Sequence, residues 1–387
     1  MSTSITKLLR HPAANAQSLE SAALLVGAAV FVVAAPLSLL IYWGRELPIS
    51  GDGSLGQMIG ITSAVVALVV FVVGRRVVAT RGSAETPLAP DGAVVPPHGR
   101  LRWYDIAALA VAHEVIALLG WIGLAAVLSL SFVDAVVFAV PAAALTAVAT
   151  AITAYAVFLS SVHLSPMVLS LVLAVFLVVG ALASMLSASD PHWWQKNLSS
   201  LGMTDDISAL AFNLTLIIAG VLVTTIAHYA VSGVPASTPE EAKGRRTVAV
   251  FLAVIGVLLA CVGVFPVDEF LTAHNVAATG MAIVYTVLVL SLRRFIPTTP
   301  RVFLLLGYVY IGVIVVMAVF FISGYYNLTA VELVVAVLVF SWVIVFLRNP
   351  GEPVAPAAFA DGPGDLGTAG NDHVVDGAPD AGSPVPR

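Results

Sequence analysis

Long apolar runs broken by short polar turns dominate the chain. The runs fall at 22–43, 57–74, 105–130, 135–159, 166–187, 207–231, 248–265, 275–292, 302–323 and 329–347. About 20 consecutive apolar residues in a helix cross a hydrocarbon core of roughly 30 Å. Each run is therefore expected to be one transmembrane helix. The pattern predicts an all-α, polytopic bundle of about ten spans.

The breaks between runs suggest a division of labour. Residues 1–79 should form a two-span hairpin, and 80–101 a linker rich in Pro and Gly. Two further spans occupy 102–160, and a six-span bundle with short loops occupies 161–348. Residues 349–387 are Gly, Pro, Ala and Asp with little to bury, so a disordered tail is expected there.

Composition agrees with the pattern. The chain of 387 residues is 59% hydrophobic and 10% charged, with a mean hydropathy of +1.01. A soluble fold carries about 25% charged residues, so this chain lacks the charge to cover a water-facing surface. No basic patch suits nucleic acid, and no nucleotide-binding motif is present. The single cysteine, Cys261, lies inside an apolar run, which excludes an intramolecular disulfide.

Charge also orients the spans. With ten spans and the N-terminus inside, 15 of the 17 Lys and Arg residues fall on the cytoplasmic side. Only Arg45 and Lys196 fall outside. That asymmetry follows the positive-inside rule and puts both termini in the cytoplasm of a cell with this protein in its plasma membrane.

Two polar turns then stand out on the outer side. The first is Ser187-Ala-Ser-Asp-Pro-His-Trp-Trp-Gln-Lys-Asn-Leu-Ser-Ser-Leu-Gly202. The second is Phe265-Pro-Val-Asp-Glu-Phe-Leu-Thr-Ala-His274. They flank the same pair of helices and bring Asp190, His192, Asp268, Glu269 and His274 within plausible reach of one another. His192, Asp268, Glu269 and His274 suit acid/base catalysis, and His192, Asp268 and His274 suit a divalent metal. The spacing matches no standard metal motif, so a divalent metal stays one candidate cofactor among unknowns. Solvated or structurally paired loop residues are the plainer reading of the same groups; His274 in particular could clamp one loop to the other.

Trp193 and Trp194 read as an interfacial anchor or as a platform for a lipid chain or sugar. Tyr325 and Tyr326 carry the same two readings. Asn197 and Glu332 complete the candidate binding set, Glu332 from the first turn of the last span. A separate candidate lies within the third span. Asp105 and His113 fall on one side of that helix, with Glu114 about 100° further round from His113. Ionisable groups at membrane depth face a partner, a cavity or one another, so a proton relay and a satisfied interhelical contact are both open.

Several of these residues form a loose signature: Asn197-Leu-Ser-Ser-Leu-Gly202, Phe212-Asn213 with Gly220, Phe265-Pro266-x-Asp268, and His274-Asn275. On them, residues from about 165 to 347 resemble the bacterial six-span family known as domain of unknown function 998. That family is distantly similar to eukaryotic six-span proteins of GPI-lipid remodelling and autophagy modulation. The resemblance implies a six-helix bundle with an outward polar site, and it implies no reaction.

Four functions fit the sequence. The leading one is binding or handling of an envelope lipid or lipid-linked glycan at the outer leaflet. The others are an extracytoplasmic metal-dependent or acid/base hydrolase, a proton-coupled transporter using His113 and Glu114, and a scaffold for other membrane proteins.

Overall fold

Apolar side chains along every run leave the backbone one way to satisfy its polar groups in lipid, the intrahelical hydrogen bond. The computed structural model, which describes residues 16–82, 103–203, 207–232 and 238–348, contains ten helices long and apolar enough to span a membrane. They are α1 (Ala16–Tyr42), α2 (Leu55–Gly82), α3 (Trp103–Ser131), α4 (Ala139–Val162), α5 (Pro166–Leu186), α6 (Ile207–Ser232), α7 (Pro239–Val264), α8 (Leu271–Phe295), α9 (Arg301–Ile322) and α10 (Leu328–Arg348). The protein is a multi-pass, all-helical membrane protein. The tail at 349–387 and most of the linker at 80–101 lie outside the described residues.

Local chemistry sets several helix ends. Ser165 caps α5 by accepting a hydrogen bond from the Val168 amide at 3.2 Å, with Pro166 in the first helical turn. Thr238 and Glu241 form a reciprocal capping box at the start of α7. That box starts α7 at Pro239, nine residues before the apolar run at 248, so a polar turn carrying Lys243, Arg245 and Arg246 is helical too.

One feature escapes the apolar pattern. The α1–α2 and α3–α4 connections pair as a two-stranded antiparallel ribbon, β1 (Glu46–Pro48) with β2 (Val136–Phe138). Leu47 lies opposite Val137 and is buried. The ribbon takes residues 136–138 out of the expected fourth span, so α4 begins at Ala139. Asp134, at φ 56°, makes the left-handed turn before the strand, a conformation Asp tolerates better than most residues.

Packing divides the helices into two groups. In the first, α1 lies along α4, while α2 lies against both α3 and α4. Tyr42 of α1 hydrogen-bonds Thr146 of α4 through the two hydroxyls, 3.2 Å apart and buried. In the second, α5 to α10 close into a ring in chain order: each packs on the next, and α10 returns against α5. The groups meet where α3 packs on α5 and α6. Ten antiparallel crossings give the bundle two ends. The ribbon end carries β1, β2 and residues 187–203, 265–270 and 323–327. The basic end carries Arg75, Arg76, Lys243, Arg245, Arg246, Arg293, Arg294, Arg301 and Arg348.

Candidate functional site

At the ribbon end, residues 187–203 fold into two short 3-10 turns, Trp193–Gln195 and Leu198–Gly202. The second turn is tied to three other elements. His274, buried at 4% exposure, places Nε2 2.9 Å from the Ser199 hydroxyl and Nδ1 2.8 Å from the Phe265 carbonyl. A carbonyl only accepts, so Nδ1 carries the proton. In the neutral ring Nε2 then accepts from the Ser199 hydroxyl. A carboxylate oxygen of Glu332 accepts from the Leu198 amide at 2.5 Å. The Asn213 side-chain amide donates to the Gly202 carbonyl at 3.1 Å. In the adjoining connection, the Asn327 amide donates to the Trp194 carbonyl at 3.0 Å.

The candidate residues of this end therefore separate. His274 and Glu332 use their polar atoms to hold loops together, a role the sequence suggested for His274 alone. The Asp190 carboxylate accepts from the His192 amide at 2.8 Å and from Lys196 Nζ at 3.0 Å. Those two donors, the His192 amide first, hold its carboxyl below the usual carboxylate range. His192, Trp194, Asp268 and Glu269 are exposed, while Trp193 and Asn197 are half-buried. Among the described residues, no three His, Cys, Asp or Glu side chains come together in an arrangement that could hold a metal ion.

A different site opens between the two helix groups. A crevice of about 860 Å³ is lined by α3, α4 and α5, with Glu20 of α1 contributing. Its wall is mostly Ile, Leu, Val and Ala, including Ile116, Leu124, Ile152 and Leu171. The polar side chains in it are Glu20, His113, Trp121, Thr153, Ser160 and His163. On α3 the lining runs from His113 to Leu124, about 16 Å at roughly 1.5 Å per residue, half of a ~30 Å hydrocarbon core. Glu20 and His163 are exposed and stand at the basic end, near the start of α1 and just past the end of α4.

Two hydrogen bonds bridge α3 and α4 across the crevice. Trp121 Nε1 donates to the Thr153 hydroxyl at 3.0 Å. His113, 6% exposed, places Nε2 2.8 Å from the Ser160 hydroxyl and Nδ1 2.7 Å from the Leu109 carbonyl. Phe71 of α2 backs the imidazole, ring centroids 4.7 Å apart. His113 thus meets both a partner and a cavity, while Glu114 is only partly buried and does not line the crevice. Asp105 sits in the first turn of α3, at the other end of that turn series. Sequence reasoning missed Ser160, Trp121, Thr153, Glu20 and His163. Ser160 is 47 positions from His113, and nothing in a linear pattern pairs them.

The ribbon-end ties involve the motif residues that carried the family resemblance: Ser199, Gly202, Asn213, Phe265 and His274. No curated protein and no solved structure matches the chain, so no likeness to eukaryotic six-span proteins is added. Residues 170–349, which run from the first turns of α5 to the end of α10 and include every partner in those ties, match the family described as "Protein of unknown function (DUF998)".

Proposed function

We propose that this protein binds an acyl lipid within the membrane, one chain seated in the crevice between α3, α4 and α5. The observation that supports it is the crevice itself: apolar walls over half the membrane depth, and a mouth carrying Glu20 and His163. In a bilayer an apolar opening of this kind faces lipid chains, and its polar mouth lies at headgroup level. Ligand pockets of about 300–1,000 Å³ with a few convergent polar groups are typical of small-molecule sites. The basic end faces the cytoplasm in this reading, because it carries most of the Lys and Arg residues. The lipid then comes from the inner leaflet, where the leading expectation from sequence put it in the outer one.

Lipid extraction from the purified protein followed by mass spectrometry tests the proposal. Gly120 lines the crevice, and a Cβ added there meets nothing within 4 Å. Gly120→Phe should therefore fill the space without moving backbone. The wild type is expected to retain a defined lipid that Gly120→Phe loses. An identical lipid complement in both proteins overturns the proposal.

A second reading keeps lipid or lipid-linked glycan at the ribbon end. Exposed Trp194, Tyr325 and Tyr326 support it, standing at the same end as exposed His192, Asp268 and Glu269. It requires that Asp268→Asn with Glu269→Gln alter the retained lipid, while Gly120→Phe leaves it unchanged.

A further inference from the structure

The helix α4 has five Ser and Thr residues, and four of them bond back to their own helix. Thr146, Thr150, Thr153 and Ser161 each donate to a carbonyl three or four positions earlier. This is how Ser and Thr are ordinarily satisfied in a membrane helix. Ser160 differs: its recorded hydrogen bond runs across the crevice to His113 Nε2 at 2.8 Å. The Leu109 carbonyl fixes the imidazole tautomer from the other side, since it can only accept from Nδ1. In the neutral ring this leaves Nε2 bare and facing a serine hydroxyl. A nucleophile, a base within hydrogen-bond reach and a third group orienting the base are the elements of serine activation.

The protein contains a second copy of this relay, and the comparison is informative. Ser199, His274 and the Phe265 carbonyl repeat the geometry at the ribbon end. There both side chains are enclosed, at 9% and 4% exposure, and the relay ties two loops. Ser160 and His113 both line the crevice. Only there does the relay open onto a space that fits an acyl chain.

We infer that Ser160 and His113 form a nucleophile–base pair acting on a long-chain acyl ester held in the crevice. The inference rests on the lipid-binding reading above. Ser160 Oγ attacks the ester carbonyl carbon, and its proton passes to His113 Nε2. The tetrahedral intermediate collapses, the carbon–oxygen bond to the alcohol breaks, and His113 returns the proton to the departing oxygen. The acyl group is then esterified to Ser160. Water, admitted past Glu20 and His163 at the mouth, attacks that ester while His113 Nε2 takes its proton. The fatty acid leaves, and the proton returns to Ser160 Oγ. His163, just past the end of α4, also lines the crevice, and its Nδ1 donates to the Leu159 carbonyl at 3.2 Å, which holds the ring at the mouth.

The test uses the full-length protein in lipid nanodiscs and a long-alkyl fluorophosphonate, which phosphonylates activated serines. The expected result is a covalent adduct whose mass, after digestion, maps to Ser160. His113→Ala should slow its formation by about 100-fold or more, the usual scale of general-base assistance. Ser160→Ala should remove the adduct while its size-exclusion profile matches that of the wild type, which a misfolded variant would not allow. Wild-type protein that keeps its lipid yet gives no adduct at Ser160 overturns the inference and leaves lipid binding standing. Equal labelling rates in wild type and His113→Ala also overturn it. Wild-type protein that carries no lipid overturns the lipid-binding reading instead.

Discussion

At the scale of single residues, the candidate side chains of the ribbon end divide into fasteners, His274 and Glu332, and exposed groups, His192, Asp268 and Glu269. His274 has both ring nitrogens engaged, one by Phe265 and one by Ser199. Removing it strands a buried hydroxyl and a carbonyl, each costing about 1–3 kcal/mol when unsatisfied. His274→Ala should therefore lower unfolding stability by roughly 2–4 kcal/mol, read as a drop in melting temperature in detergent. An unchanged melting temperature would contradict the fastener role. Asp190 behaves differently because it is exposed. Its carboxyl is depressed from an ordinary value of 3.8, so its stabilising contacts are complete above that pH and fade as the pH falls further. Between pH 5 and 8 the melting temperature should not respond to Asp190→Asn beyond a small, salt-screened change. His274 as a clamp was legible because it opens a helix right after a Pro-containing turn. The pairing of His113 with Ser160 was not, because residue type and spacing within one helix say nothing of which neighbour it faces.

At the scale of helices, the number and approximate position of the spans were legible from run length alone. The corrections come from capping and pairing. The polar Thr238–Glu241 box extends α7 into charged sequence that a hydropathy window rejects. The Val136–Phe138 strand is apolar and reads as the start of a span, yet it pairs with Glu46–Pro48. Such cross-chain pairing has no local signal. Helix association was also hidden. In lipid it depends on close approach by small residues rather than on hydrophobic burial. Gly220 of α6 and Gly256 of α7 meet so tightly that a Cβ on Gly220 would stand 2.3 Å from the Gly256 carbonyl oxygen. Each helix brings one glycine to the contact, so the feature that would advertise it is split between two. Gly220→Leu should force α6 from α7 and abolish the folded monomer, seen as aggregation on size-exclusion chromatography. Gly312→Leu, on α9 where an added Cβ meets nothing within 4 Å, should run as the wild type does.

At the scale of the whole molecule, the ten spans as a set were legible in the sequence, while the expected division among them rested on the Pro/Gly-rich stretch after α2 and the short loops beyond α4. The junction was not, because it depends on α3 crossing from its own group to lie on α5 and α6. That crossing creates the crevice, since α3 is drawn toward α5 while α4 stays with α1 and α2. The proposed orientation rests on the same global pattern of charge. Single cysteines at Asp268 and at Arg246 in a Cys261→Ser background should react with an impermeant maleimide from opposite sides of intact cells, Asp268→Cys from outside. Labelling of Arg246→Cys from outside would invert the assignment of leaflet to crevice.

The small sheet bears on how a bulky hydrocarbon could get in at all. Backbone pairing between Glu46–Pro48 and Val136–Phe138 staples the four-helix group at one extremity, and the Tyr42–Thr146 contact lies close beside it. Toward the opposite extremity α3 and α4 are spanned by side chains, among them His113 with Ser160. Spreading the helices about the stapled extremity would part that contact and leave the sheet intact. A gap that widens sideways into the surrounding leaflet admits a chain without ever exposing it to water.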